Sequence, residues 1–123
     1  MITAKFNQHS KILEVTFKGN VTLAEIVNYI KATKKKGIYP RKLKIITDSR
    51  NAIFNFSIDD LEIIVEENYK SLEKYEMIID AIIIDDPKNT ALSMLYLELV
   101  KTNKYKFEIF ATKSAALNWL NNY

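Results

Sequence analysis

A strand, a short connection and an amphipathic helix follow one another in KLKIITDSRNAIFNFSIDDLEIIVEENY (Lys42–Tyr69), and the unit returns as AIIIDDPKNTALSMLYLEL (Ala81–Leu99). This β–α alternation constrains the fold more than any other feature. A strand that feeds a helix and then another strand builds a right-handed crossover, and a series of them builds a largely parallel sheet. Ala81–Ile84 is a short β-branched apolar run, as a central strand covered on both faces requires.

The flanking segments fit the same plan. Ile2–Gln8 and Ile12–Lys18 alternate apolar and polar residues around His9-Ser10, which predicts an antiparallel hairpin ended by Gly19-Asn20. Thr22 with Glu25 forms a capping box for a helix whose stripe is Leu23, Ile26, Val27 and Ile30. Lys34-Lys35-Lys36 suit its last turn and Gly37 stops it. Leu43–Asp48 reads as a strand, Ser49–Phe56 as a loop, and Ser57 as the start of a helix that buries Ile58, Leu61, Ile64, Val65 and Leu72. A strand over Asp80–Asp85, a helix from Pro87 to about Lys101, a strand over Tyr105–Ala111 and a helix over Thr112–Asn121 follow. The predicted order is ββαβαβαβα. It makes an α/β domain with a five-stranded mixed sheet, in which an N-terminal antiparallel hairpin precedes parallel strands, and four helices.

A chain of 123 residues has enough bulk for one domain with its own core. The absence of cysteine excludes disulfides, thiolate metal sites and a Cys nucleophile. MITAKFNQHSK lacks the pattern of a signal peptide, and no apolar run nears the roughly 20 residues that cross a bilayer, so a cytoplasmic protein without membrane contact is expected. Residues 1–50 hold 11 Lys or Arg against 3 Asp or Glu, and residues 51–123 hold 7 against 12. Seven bases fall within Lys31–Lys44 with Tyr39 as the one interleaved aromatic, which reads as a solvated face and not a nucleic-acid surface.

In a parallel sheet, ligands gather beyond the carboxyl ends of the strands. Those ends hold Asp48-Ser49-Arg50, Asp85-Asp86 and Thr112. Asp48 and Asp85 have the oxygen chemistry of a Mg²⁺ site, but turn and capping roles account for these acids more simply, Asp86 before Pro87 above all. No metal and no cofactor is expected. His9, the one histidine, sits in the hairpin turn, far in sequence from any serine paired with an acid, so no triad is expected and no catalytic residue is assigned. In the helix Ala91–Lys101, Leu92, Leu95, Leu99 and Val100 cover the core face. Met94, Tyr96 and Leu97 extend the apolar surface toward either the interior, a homodimer seam or the wall of an apolar-ligand pocket. Trp119 and Leu120 pack the last helix on the sheet.

FKGNVT (Phe17–Thr22), IITDSRN (Ile45–Asn51), FSIDDL (Phe56–Leu61), AIIIDDPKNTAL (Ala81–Leu92) and FEIFATKSAALNWL (Phe107–Leu120) together resemble the STAS-like, or SpoIIAA-like, proteins related to anti-sigma-factor antagonists. The resemblance spans nearly the whole chain. It implies a domain that acts by binding and not by catalysis. In regulatory members a serine at the start of the helix after the third strand is phosphorylated, within Asp-Ser-Ser/Thr-Gly. Here that place reads Asn55-Phe56-Ser57-Ile58-Asp59, without the second hydroxyl and the glycine, and Asp48-Ser49 is a second candidate. A non-enzymatic regulatory or protein-interaction module is therefore expected. Its working surface is Ser49–Phe56 and the turn at Ser57, with Phe54 and Phe56 partly exposed as anchors for a protein partner. The alternative is a binder of small apolar, lipid-like ligands, with a cavity between the Leu92–Val100 helix and the sheet lined by Met94, Tyr96 and Leu97.

Overall fold

The computed structural model describes residues 1–123. β1 (Ile2–Asn7) and β2 (Ile12–Thr22) form a hairpin. They are followed by α1 (Leu23–Lys35), β3 (Lys42–Asn55), a 3-10 turn (Ile58–Asp60) running into α2 (Leu61–Ser71), β4 (Met77–Ile83), α3 (Pro87–Leu99), β5 (Tyr105–Phe110) and α4 (Lys113–Leu120). The strands stand in chain order across one sheet, antiparallel at β1–β2 and parallel elsewhere. This is the five-stranded mixed sheet with four helices that the sequence predicts. No helix is long and apolar enough to cross a membrane.

Strand order dictates where the helices lie. Successive right-handed crossovers that always step the same way along a sheet put their helices on one face. Ile26 and Ile30 of α1, Leu61, Ile64 and Val65 of α2, and Leu92 and Tyr96 of α3 accordingly share one core with Leu13, Val15, Leu43, Ile45, Ile78 and Ile82. The last helix has no further strand to reach. It folds onto the opposite face, where Ala116 and Leu120 meet Ile46, Ile79, Ala81 and Ile83. The capping box at α1 forms as its spacing predicts: Thr22 Oγ1 accepts the Glu25 N–H (3.2 Å) and Glu25 Oε1 accepts the Thr22 N–H (3.3 Å).

Two strands run longer than the sequence pattern suggests. β2 passes straight through Gly19-Asn20, with Gly19 at φ 68°, a conformation glycine adopts without steric cost. β3 continues through Ser49–Asn55, the stretch expected to be a loop. The reason is a bulge. Thr16 pairs with Asp48 and Lys18 with Asn51, so β3 sets both Ser49 and Arg50 against Phe17. One extra residue inverts the in–out alternation of a strand. Leu43, Ile45 and Thr47 face the helices before the bulge, and Ala52 and Phe54 face them after it.

The far half of β3 lies beyond the end of its pairing with β4 at Asp48–Ile83, so one edge of it lacks a strand. α3 supplies the missing partner. Asn89, 1% exposed, donates from Nδ2 to the Ala52 carbonyl (2.9 Å), and its Oδ1 accepts the Phe54 N–H (3.2 Å). Asp86 caps the same helix by accepting the Asn89 N–H (3.0 Å), which fixes the first turn where the amide is needed. Asn89→Ala leaves two buried backbone groups unpaired and is expected to destabilise the fold by about 3 kcal/mol. Denaturant unfolding measures this, and a loss under about 1 kcal/mol would show that the amide is not holding β3.

Candidate functional site

The residues expected to form an exposed docking surface divide: Ser49 and Phe54 lie inside, while Asp48 and Phe56 are half-buried and Ser57 is exposed. Ser49 is fully buried inside β3, and its hydroxyl finds no partner in the protein. Phe54 is 4% exposed; it stacks on Phe56 (5.3 Å between ring centres) and meets Phe17 edge-on (6.2 Å). Phe56 is half-buried against the same core. Strand pairing and aromatic packing account for the burial of Ser49 and Phe54, because the bulge turns Phe54 inward, and Phe56 keeps the partial exposure expected of it. Asp48 stays at the surface. Arg50 holds it through Nε (3.0 Å) and Nη2 (2.7 Å), which keeps the carboxyl below its ordinary range. Ser57 is exposed at the head of the 3-10 turn, with its N–H donated to Asp60 (2.9 Å). Ile58, expected in the core, is exposed beside it.

The apolar helix also sits differently. α3 buries Asn89, Leu92, Ser93 and Tyr96, while Met94 and Leu95 point outward and Leu97 is half-buried. Two core positions on this helix are polar, so its apolar residues do not mark its inner face. Thr112 caps α4 through the Ala115 N–H (3.2 Å). The buried face of α3 is therefore a different set of residues from the one its hydrophobicity indicates.

What the fold builds is interior. A cavity of about 90 Å³ lies between the sheet and the layer of α1, α2 and α3. Its walls are mostly apolar, drawn from β2 (Phe17), β3 (Ile45, Phe54), β4 (Ile78, Ile82) and β5 (Tyr105, Phe107) and from all three helices. Tyr96 lines it, but Met94 and Leu97 do not. One carboxyl stands among these walls. Asp80 is the middle residue of β4, on the helix-facing side between Ile78 and Ile82. It is packed among these residues and keeps a minor part of its surface accessible. Thr47 Oγ1 donates to Asp80 Oδ1 (2.9 Å) from the neighbouring strand.

Burial pushes the Asp80 carboxyl up to about 7, against the smaller opposing effect of the Thr47 hydrogen bond. The surrounding phenols are raised as well, first by burial; the nearby carboxyl adds to this at Tyr29 and Tyr96, and at Tyr105 it follows the effect of Tyr96. Tyr96 donates to the Tyr105 hydroxyl (3.2 Å) and accepts from Asn68. The Tyr29 hydroxyl is buried and unpartnered: Thr33, one turn on, gives its own proton to the Tyr29 carbonyl (2.9 Å).

Asp80 is the residue that sequence reasoning misses, because the apolar run Ala81–Ile84 begins just after it and makes it look like the edge of a strand. The signal was present. An acid enclosed by Ile78-Ile79 and Ala81–Ile84 lies inside an apolar strand, and alternation puts it on the same face as Ile78 and Ile82.

A carboxyl that holds its proton more tightly folded than unfolded stabilises the fold at low pH and loses that contribution as pH rises. The window runs from about pH 4, the usual range for Asp, to about pH 7, and the loss is up to about 4 kcal/mol, reduced by the surface that Asp80 retains. Asp80→Asn removes the proton linkage. Denaturant titrations should find wild-type stability falling across this window and the variant flat by comparison. Parallel profiles would show that Asp80 is not perturbed.

No protein-family model and no curated protein matches the sequence. Among solved structures, the chain is similar to an uncharacterised protein of the DUF3478 family from Shewanella loihica PV-4, described as having a SpoIIAA-like fold. The match has 17% sequence identity and a TM-score of 0.60, and covers 98% of this chain and 92% of that one. This likeness establishes the architecture: the chain has the SpoIIAA-like fold.

Proposed function

We propose that this domain is a non-enzymatic binding module whose site is the cavity behind the sheet, and that it takes a small, mostly apolar ligand carrying one polar group. The observation that carries this reading is the cavity itself, an apolar chamber with a few convergent polar atoms, which is the usual composition of a small-molecule site. A carboxyl placed mid-strand in the core is costly to bury and adds nothing to packing. A ligand that engages it would account for its presence.

The test is thermal unfolding with a series of short linear alcohols. Melting temperature should rise with a chain-length optimum near the cavity volume, as ligands that bind only the folded state stabilise it. Ser93→Leu, which puts a larger side chain into the cavity from α3, should abolish the shift while leaving the fold intact. A series that shifts neither protein would overturn the reading.

A second reading is favoured by one surface feature. Ile53 (57% exposed) lies near the end of β3, and Ile58 (60%) directly follows the exposed Ser57. This tip suits a protein partner or a second copy of the chain, with Ser57 as phosphoacceptor. Sedimentation velocity over a concentration range, with Ile58→Asp as control, tests the pairing. A monomer at every concentration would remove the homodimer.

A further inference from the structure

The polar end of the cavity narrows the class of ligand. Asp80 reaches into the chamber from β4, and no Lys, Arg or His lines any wall. The titratable groups around it are Tyr29 from α1, Tyr96 from α3 and Tyr105 from β5; α2 adds only the uncharged Asn68 and Ser71, and β3 adds Thr47. Each of these phenols is kept neutral by burial. Thr47 occupies Oδ1, and no donor in the protein reaches Oδ2. The Tyr29 hydroxyl lines the same chamber without a partner. Phe17, Phe54, Phe56 and Phe107 complete an aromatic wall.

We propose that the cavity recognises a small protonated aliphatic amine, with the ammonium on Asp80 Oδ2 and the hydrocarbon body against the aromatic rings. Three features of the site favour this class over other polar heads. A buried carboxylate without a counter-ion is stabilised most by a cation brought in with hydrogen-bond donors. Aromatic faces attract an ammonium that has left water. A ligand carboxylate would face Asp80 with no cation between them. The volume sets the size. About 90 Å³ equals roughly three water volumes and falls below the roughly 150 Å³ that admits benzene, so the body is a short chain and not a ring. Binding requires the ionised acid, and burial places that ionisation near neutrality. Amine affinity therefore rises between pH 6 and pH 8, while an alkylammonium of ordinary pKa, about 10.4, stays charged throughout.

This inference rests on the cavity being a ligand site, and the experiment separates the two. Ethylamine, ethanol and acetate, which match a site of this volume, are titrated into the protein at equal ionic strength, with binding read from amide chemical shifts. The amine should bind at least about tenfold more tightly than the alcohol at pH 8, and acetate should not bind. The amine's advantage should shrink about tenfold on going to pH 6, with the alcohol unchanged. Asp80→Asn should bring amine and alcohol to within about twofold. The pH series on the wild-type protein gives the same answer without a variant that must fold. Equal binding of amine and alcohol, or binding of acetate, overturns the amine inference and leaves the ligand site standing. Failure of all three to shift cavity resonances overturns both.

Discussion

The Asn89 amide ties α3 to the far half of β3, and the packing behind that part of the sheet depends on it. β3 is long enough to outrun its β4 neighbour, and its far half would present a bare hydrogen-bonding edge to the interior. By accepting from Phe54 and donating to Ala52, one side chain from α3 does what another strand would do. The amide carries both a donor and an acceptor, so it completes both backbone groups at once, which no hydroxyl or carboxylate can do with the same geometry. With the edge closed, Phe54 stays inward beside Phe17 and Phe56, and the aromatic cluster roofs the chamber behind the sheet.

The chamber and its acid form a single electrostatic problem. β4 is covered on both faces, by α4 on one side and by the cavity on the other, so whatever stands at its centre is desolvated. Asp80 stands there with one hydrogen bond from Thr47. A neutral carboxyl is the cheapest resident of such a place, and the ionised form requires a positive partner. None comes from the chain, since every cation lies outside the cavity. The tyrosines around the acid form their own link between Tyr96, Tyr105 and Asn68 and leave the Tyr29 hydroxyl free. The polar end of the chamber is therefore arranged for an incoming group.

Sequence reasoning failed where one residue inverted a pattern. The alternation in β3 is regular on each side of Ser49-Arg50, but the bulge shifts its phase, and a strand with broken alternation looks like a loop. The register against β2 shows the extra residue, and only the paired strand reveals it. In α3, Asn89 and Ser93 occupy core positions because one bonds to β3 and the other borders the cavity, while Met94 and Leu95 are exposed. Hydrophobic periodicity locates a buried face only when burial is the sole demand on it.

The β–α alternation by itself determined the order of elements, the mixed sheet and the capped helix starts, since these follow from local patterns of two, three or four residues. Chain order and handedness then left little freedom in placing the helices. Tertiary structure alone decided which polar residues went inside. Asp80 faces the cavity, Asn89 faces the bare edge of β3, and Ser49 lies under its neighbours because distant segments converge on them. A residue's surroundings are set by contacts across tens of positions, and no local pattern of spacing encodes them.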